Sequence, residues 1–455
     1  MARNLLEPIL DGGVTNPHYF EGRLLTAAAL REEQEAQRAH HRRLGRGLGP
    51  GIVDGLWVTI EFAGSATAPP RLAITAGLAV NAEGETLELP AREVVALARK
   101  APAPQQAAGL FRTCEPPSAL VEGPGAGFYV LMLSPASGFQ GRAPLSGLSE
   151  PTAGSGCGSR WAMEGVRLRM VPLDPLTVNG LSPATRTLIE SELLAATEGG
   201  RSKLRNVVAH LCLGTEPLTT FSADPFARDP LAGGGSEATL AHYGALDHLV
   251  AAGALTGCDV PLALLHWPTG TGLDFADNWA VRRRLAPVAT SAAFPTLTGG
   301  RRHADAEAAL FQFQEQLASL VQRSADPTAI RALDCFRWLP AAGLLPLATG
   351  TERGCDVATF FDPLPHRDPV EFLNGELVVE IVERSFGHEP IDLAEPEMVW
   401  LYHPWQQETA RAAGLTPRSY VAFTTGHLPP YAVARFDVAR WDFSNFADCC
   451  EEGAP

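Results

Sequence analysis

Glycine and proline break this chain into short pieces. Its 44 glycines and 37 prolines make up about 18% of 455 residues, above the usual ~12% and below the low-complexity range. Both residues end helices and interrupt strands. The expected architecture is therefore short strands, single helices and long irregular connections. The regular strand–helix alternation of a doubly wound parallel sheet is absent, and no periodic internal repeat appears. This predicts an α+β, multidomain fold of short-strand β modules with single packed helices and long Gly/Pro-rich loops. Divisions are expected at 1–95 (a helix plus β-hairpin docking module), 96–290 (a central α+β domain with long insertions) and 291–455 (a C-terminal α+β domain).

The N-terminal part is the most legible. Two adjacent aromatics, Tyr19 and Phe20, sit in a turn-rich run that ends at Arg23. A helix is expected over 27–46, with Thr26 as N-cap and Gly45, Gly47, Gly49 and Pro50 as stop signals. Leu30, Gln34, Gln37, His41, Leu44 and Leu48 recur at alternating spacings of four and three, a heptad-like stripe with a polar middle. Such a helix either packs on its own domain or meets copies of itself. Residues 51–60, 72–75, 77–80 and 86–89 read as strands, with a hairpin turn at 81–84.

Further on, Phe128 to Leu133 reads as a buried strand and Val166 to Leu173 as a half-exposed one. The Gly/Ser/Pro-rich stretch 138–158 between them reads as a long loop. A helical block is expected over 183–212, an irregular stretch over 217–237, and a helix over 238–252. Strands are expected at 260–267 and 273–281. The clearest helix covers 304–322, with Leu310, Phe313, Leu317 and Leu320 on one face and Glu and Gln opposite. After it come short strands at 336–339 and 344–347, a helix over 369–384, and strands at 398–402, 419–424 and 431–437.

Lys+Arg is 36 against 51 Asp+Glu, a net charge of -15. Nucleic-acid binding runs on a basic face, so it is not expected. No stretch approaches the ~18 apolar residues of a membrane span, and no secretory signal is visible at the start. The eight cysteines are scattered without a CxxC pair. That gives no support to a cysteine metal site, and reduced thiols in a cytoplasmic setting are the default.

Walker A, GxGxxG, HExxH and GxSxG motifs are all missing. What remains is a set of weak constellations. Arg38, Arg42, Arg43 and Arg46 with His40 and His41 form a local basic patch, suited to a solvated helix end or an acidic partner. His242, His248, Cys258 and His266 lack the spacing of a metal pair. Asp274 and Asp277 beside Arg282, Arg283 and Arg284 offer either an anion site or strand-end ion pairs next to a buried Trp279. Cys335 has Arg337 nearby but no local base. Cys449 and Cys450 are a vicinal pair in an acidic tail. Trp400, Tyr402 and Trp405 beside His403 and His427 could floor a pocket or fill a core.

Several segments together resemble a largely uncharacterised bacterial family associated with phage-tail-like contractile injection systems. They are Tyr19-Phe20-Glu21-Gly22-Arg23-Leu24-Leu25-Thr26, Leu30-Arg31-Glu32-Glu33-Gln34, Arg42-Arg43-Leu44, Gly51-Ile52-Val53-Asp54-Gly55-Leu56 and Ala76-Gly77-Leu78-Ala79-Val80. The aromatic-x-Gly-x-x-Leu run before a Gln-containing helix also resembles the N-terminus of the type VI secretion baseplate protein TssK. The stretches 259–265, 279–284 and 336–347 are similar to the same family.

The resemblance implies a non-enzymatic structural or assembly subunit of a contractile particle: a baseplate, cap or peripheral component. Its partners would be other subunits of the particle and copies of itself, with neither cofactor nor metal required. The expected contact residues are Tyr19, Phe20, Arg23, Gln34, Gln37, His41 and Arg42. Two rival expectations stand beside it. One is a hydrolase-like enzyme with a pocket around Asp274, Asp277, His403 and His427. The other is a ligand-binding module built on the 400–405 aromatics.

Overall fold

The computed structural model describes residues 13–97 except 66–67, 126–144, 157–216 except 179 and 194–196, and 244–286 except 269–271. It also describes 300–366 except 351, and 371–425 except 374, 396–397 and 405–418. The expectations for 217–237, for 238–243, for 431–437 and for His242, Trp405, His427, Cys449 and Cys450 fall outside these residues.

Helix α1 (Ala27–Leu48) starts where expected: the Thr26 hydroxyl accepts a bond from the Ala29 N–H at 3.1 Å. It stops at Gly49, whose φ is 86°. Six short strands follow: β1 (Gly51–Gly55), β2 (Val58–Phe62), β3 (Arg71–Ile74), β4 (Gly77–Val80), β5 (Thr86–Leu89) and β6 (Glu93–Ala96). They form two three-stranded sheets, β1-β4-β5 and β2-β3-β6. The alternating run 51–60 is thus two strands. It breaks at Leu56, a fully buried non-glycine residue at φ 58°. In the same way β3 and β4 belong to different sheets, and β4–β5 is the expected hairpin.

The central sheet joins β7 (Gly127–Pro144), β8 (Cys157–Leu173), β9 (Val260–Trp267) and β10 (Phe275–Asp277) in the order β10-β9-β7-β8, all antiparallel. Successive side chains of a strand point to opposite faces, and β7 uses both. Phe128, Val130 and Met132 pack on α2 (Pro183–Leu193), α3 (Glu198–Leu213) and α4 (Ala245–Ala251). Tyr129, Leu131 and Leu133 pack on the N-terminal strands, sharing a core with Leu56, Leu72, Ile74 and Leu87. The two small sheets and the helices therefore cover opposite faces of one sheet.

Two expectations need correcting here. The 138–158 stretch is not a loop through its length, because β7 and β8 stay paired from Phe128↔Leu173 out to Pro144↔Cys157. Strand β9 stops pairing with β7 at Leu133, so the outer part is a two-stranded arm. Cross-strand hydrogen bonds hold the backbone there whatever the small side chains prefer. The 273–281 strand shrinks to the three residues of β10, after which the Asp277 carboxylate accepts the Ala280 N–H at 3.0 Å and turns the chain.

The C-terminal part begins with α5 (Gly300–Arg323), then α6 (Ala332–Cys335), β11 (Trp338–Leu339), β12 (Ala342–Pro346), α7 (Val357–Phe361), β13 (Glu371–Leu373), α8 (Glu376–Ser385), β14 (Ile391–Asp392), β15 (Trp400–Pro404) and β16 (Tyr420–Thr424). Strands β12-β16-β15-β13 make a sheet, with only the β13–β15 pair parallel. Phe313, Leu317 and Leu320 of α5 enter the core beside Phe336, Phe360, Phe361 and Phe423. The expected 369–384 helix is β13 followed by the shorter α8. Mixed helices and mainly antiparallel small sheets make the fold α+β. Among the described residues no helix is long and apolar enough to cross a membrane.

Candidate functional site

The expected contact residues gather on α1 and the segment before it. Tyr19 and Phe20 are 40% and 61% exposed. The Tyr19 hydroxyl reaches the Ala29 carbonyl at 3.4 Å, and its hydrogen bond with Glu33 holds the phenol above its ordinary pKa. Arg23 lies over the Tyr19 ring at 5.6 Å and donates to the His18 carbonyl. Gln34, Gln37 and His41 are exposed, and Arg42 is half-buried, 3.9 Å from Glu85.

Only Ala29, Ala36 and Gly45 of α1 are buried, whereas Leu30, Leu44 and Leu48 are 50%, 69% and 57% exposed. The helix therefore meets its own chain through small residues and turns its leucines to solvent. At its C-terminal end the backbone lies on the β4–β5 turn. A Cβ on Gly45 would come within 2.1 Å of the Gly84 carbonyl, and Gly84 itself has φ +80°. Nearer the middle, Arg38 bonds Glu164 of β8 at 2.8 Å. The basic patch is thus partly spent within the chain.

That ion pair ties α1 to the arm. Phe139, Trp161 and Met163 on the arm are 56%, 56% and 50% exposed, and Arg160 lies over the Trp161 ring. A two-stranded ribbon is marginal in water when neither face is covered, and exposed apolar patches of this kind mark interaction surfaces. The loop expected over 138–158 takes in only Phe139 of this surface, and Trp161 and Met163 lie just beyond it. The period-2 apolar positions Trp161 and Met163 were the available signal.

The Asp274–Arg284 run is a structural hub. Asp277 is fully buried and bonded to Arg205 at 2.6 Å and to the Gln312 amide at 3.0 Å. Gln312 continues to Gln316, whose amide reaches Ser202. These two glutamines are 0% and 1% exposed, which corrects the expectation that the Glu/Gln face of this helix is opposite the core. Arg282 stacks on Trp57 with its guanidinium 3.8 Å from the ring centre and donates to the Gly55 and Leu56 carbonyls. Burial pushes its pKa down to about 10. Asn278 bonds both the N–H and the carbonyl of Val58. The motif therefore clamps the N-terminal strands to the central sheet. Asp277 and Arg283 are ion-paired, to Arg205 and Asp305, whereas Arg282 is held by carbonyls and the Trp57 ring.

The rival pocket residues do not form one constellation among the described residues. Asp274 approaches His266 at 3.3 Å, while Asp277 faces Arg205. His403 lies on β15 in another sheet. Trp400 and Tyr402 pack against Val378 and Ile381, so the two described aromatics of that cluster serve as core. Cys335 is buried and its thiol is pushed up to about 11 by burial, while Arg337 is committed to Asp392. Burial also pushes the thiols of Cys212 and Cys355 up to about 12. Cys258 is disulfide-bonded, which departs from the expectation of reduced thiols throughout. Among the described residues no group of three or more His, Cys, Asp or Glu is arranged to hold a metal ion.

A cavity of about 540 Å³ lies elsewhere, between α5 and β12, lined in part by Leu317, Val321, Leu344, Glu352 and Ser419. The Ser419 hydroxyl is buried there without a hydrogen-bond partner. Comparison with protein-family models and with curated proteins finds no match.

Proposed function

We propose that this chain is a non-enzymatic assembly subunit of a phage-tail-like contractile injection particle, a baseplate, cap or peripheral component assembled in the cytoplasm. One observation carries the reading. Of the sixteen exposed large apolar side chains among the described residues, eight lie between Tyr19 and Val53 and three more on the arm. Protein–protein contacts need such a concentration of desolvatable surface. The Arg38–Glu164 bond makes the helix and the arm neighbours in one contact region. The resemblance of the N-terminal segments supplies the kind of assembly.

The test is to sediment the source lysate and follow this chain. It is expected to travel with sheath and tube subunits, and Phe139→Ser/Trp161→Ser is expected to release it while leaving the purified protein folded. A chain absent from purified particles overturns the proposal.

The cavity with its unpaired Ser419 hydroxyl favours a second reading, a ligand-binding module in the C-terminal half. That reading predicts small molecules that raise the melting temperature of the wild type and not of Ser419→Val. A screen without such a compound removes it.

A further inference from the structure

We infer that the exposed face of α1 pairs with the same face of a second copy of this chain, the two helices running antiparallel. The inference deepens the assembly reading and rests on it for its use in a particle. Its physical basis is separate.

Helix α1 has 22 residues, about 33 Å at 1.5 Å per residue. Helices in proteins draw most of their stability from an apolar face packed on something. Here the residues turned inward are small, and the stripe Leu30, Gln34, Gln37, His41, Leu44, Leu48 is exposed along its whole length. The 3.5-residue spacing of that stripe is the geometry by which two helices interlock.

Three features select a second copy in the antiparallel sense. The spacings 4, 3, 4, 3, 4 read the same in both directions, so a reversed copy registers Leu30 against Leu48, Gln34 against Leu44 and Gln37 against His41. Leucine layers then close both ends of a polar middle, the arrangement that fixes register in helix pairs. Charge agrees: Glu32, Glu33 and Glu35 outnumber Arg31 in the first half of α1, and Arg38, Arg42, Arg43 and Arg46 occupy the second. Antiparallel pairing lays acidic half on basic half twice, whereas parallel pairing sets Arg42, Arg43 and Arg46 against themselves. Finally, α1 meets its own body at the Gly45–Gly84 contact near its C-terminal end. A reversed pair therefore carries its two Gly45–Gly84 seats at opposite ends, with the Arg38–Glu164 ion pairs to the arms between them.

Sedimentation equilibrium of the purified full chain is expected to give a dimer. Leu30→Glu/Leu44→Glu/Leu48→Glu is expected to weaken association by on the order of a hundredfold or more. Its circular dichroism should stay that of the wild type, because these side chains are half or more exposed in the monomer, and its melting temperature should fall only by what dimerisation contributes. For direction, Gln37→Cys mixed with His41→Cys is expected to give an oxidised dimer that neither variant forms alone, with wild type treated alongside to subtract native thiol products. A monomeric wild type overturns the pairing. So does a triple variant that still dimerises. Self-crosslinking of Leu44→Cys without the mixed product overturns the antiparallel sense. A dimer absent from every particle keeps this inference and removes the assembly reading. A monomer that sediments with particles does the reverse.

Discussion

At the scale of single residues, buried polar groups carry the sharpest consequences. His210 is fully buried, stacked 5.3 Å from Trp338, with Nδ1 2.9 Å from the Thr215 hydroxyl. Burial pushes its imidazole down to about 3, while in the unfolded chain it titrates near ~6.5. Between those values the unfolded state binds one proton more, so stability falls as pH drops through about 6.5 and levels off below about 3. At about 1.4 kcal/mol per unit the full loss is at most about 5 kcal/mol. Urea midpoints at pH 7.5 and 4.5 should therefore differ more in the wild type than in His210→Gln. An equal difference in both proteins refutes the assignment.

Arg282 carries a second consequence at the same scale. It holds the Gly55 and Leu56 carbonyls beside a leucine in the left-handed region, a conformation that costs about 1–3 kcal/mol and persists only where its surroundings enforce it. Arg282→Ala should destabilise the fold by about 3 kcal/mol or more. Arg282→Lys should recover little of that loss, because an ammonium cannot stack flat on Trp57 while reaching two carbonyls. Denaturant unfolding of the two variants checks this, and near-complete rescue by lysine would show that charge alone is used.

Among the elements, α1 is held by a contact between backbones. Gly45→Leu would drive a side chain into the Gly84 carbonyl, so the helix must lift from the β4–β5 turn. Hydrogen exchange is expected to speed up along α1 and at Gly84 and to stay unchanged in α3, which packs on the other face of the central sheet. Uniform protection across the variant would place the attachment of α1 elsewhere. Helix α3 behaves oppositely: it is buried along nearly its whole length, and Asn206 bonds the Arg337 N–H, the Trp338 N–H and the Trp338 carbonyl. Asn206→Leu leaves three backbone groups of Arg337 and Trp338 without these partners, at about 1–3 kcal/mol each. It should therefore cost more stability than any single leucine substitution on the exposed stripe of α1.

For the whole molecule, the central sheet decides what can fold alone. Residues 52–97 share one core with Tyr129, Leu131, Leu133, Leu262 and Leu265. A chain starting at residue 96 would expose that face of the sheet, and a chain ending at 95 would lack it. Neither piece is expected to fold by itself. Calorimetry of the intact protein should melt the N-terminal strands and the central sheet in one transition. Soluble, cooperatively melting fragments cut at 95/96 would contradict this shared core.

Local signals were legible in the sequence. Thr26, the Gly49–Pro50 stop and the hairpin at 81–84 act within a few residues, so the sequence announces them, as it does the 260–267 strand and the apolar stripe from Leu310 to Leu320. The heptad-like stripe of α1 was equally plain, and so were the aromatics at 19 and 20. The sequence by itself thus determined the α+β class and most element positions.

Tertiary structure alone decided which side of α1 faces water, because the seat of that helix is two glycines 39 residues apart. It alone made strand of 138–144 and 157–158, where a loop was expected, since cross-strand pairing overrides weak local preference. It alone buried Gln312 and Gln316, whose partners Asp277 and Ser202 are distant in the chain. The reason is common to all three: hydrogen-bond partners and burial are properties of non-local neighbours, and periodicity records only which residues share a face, not what that face meets.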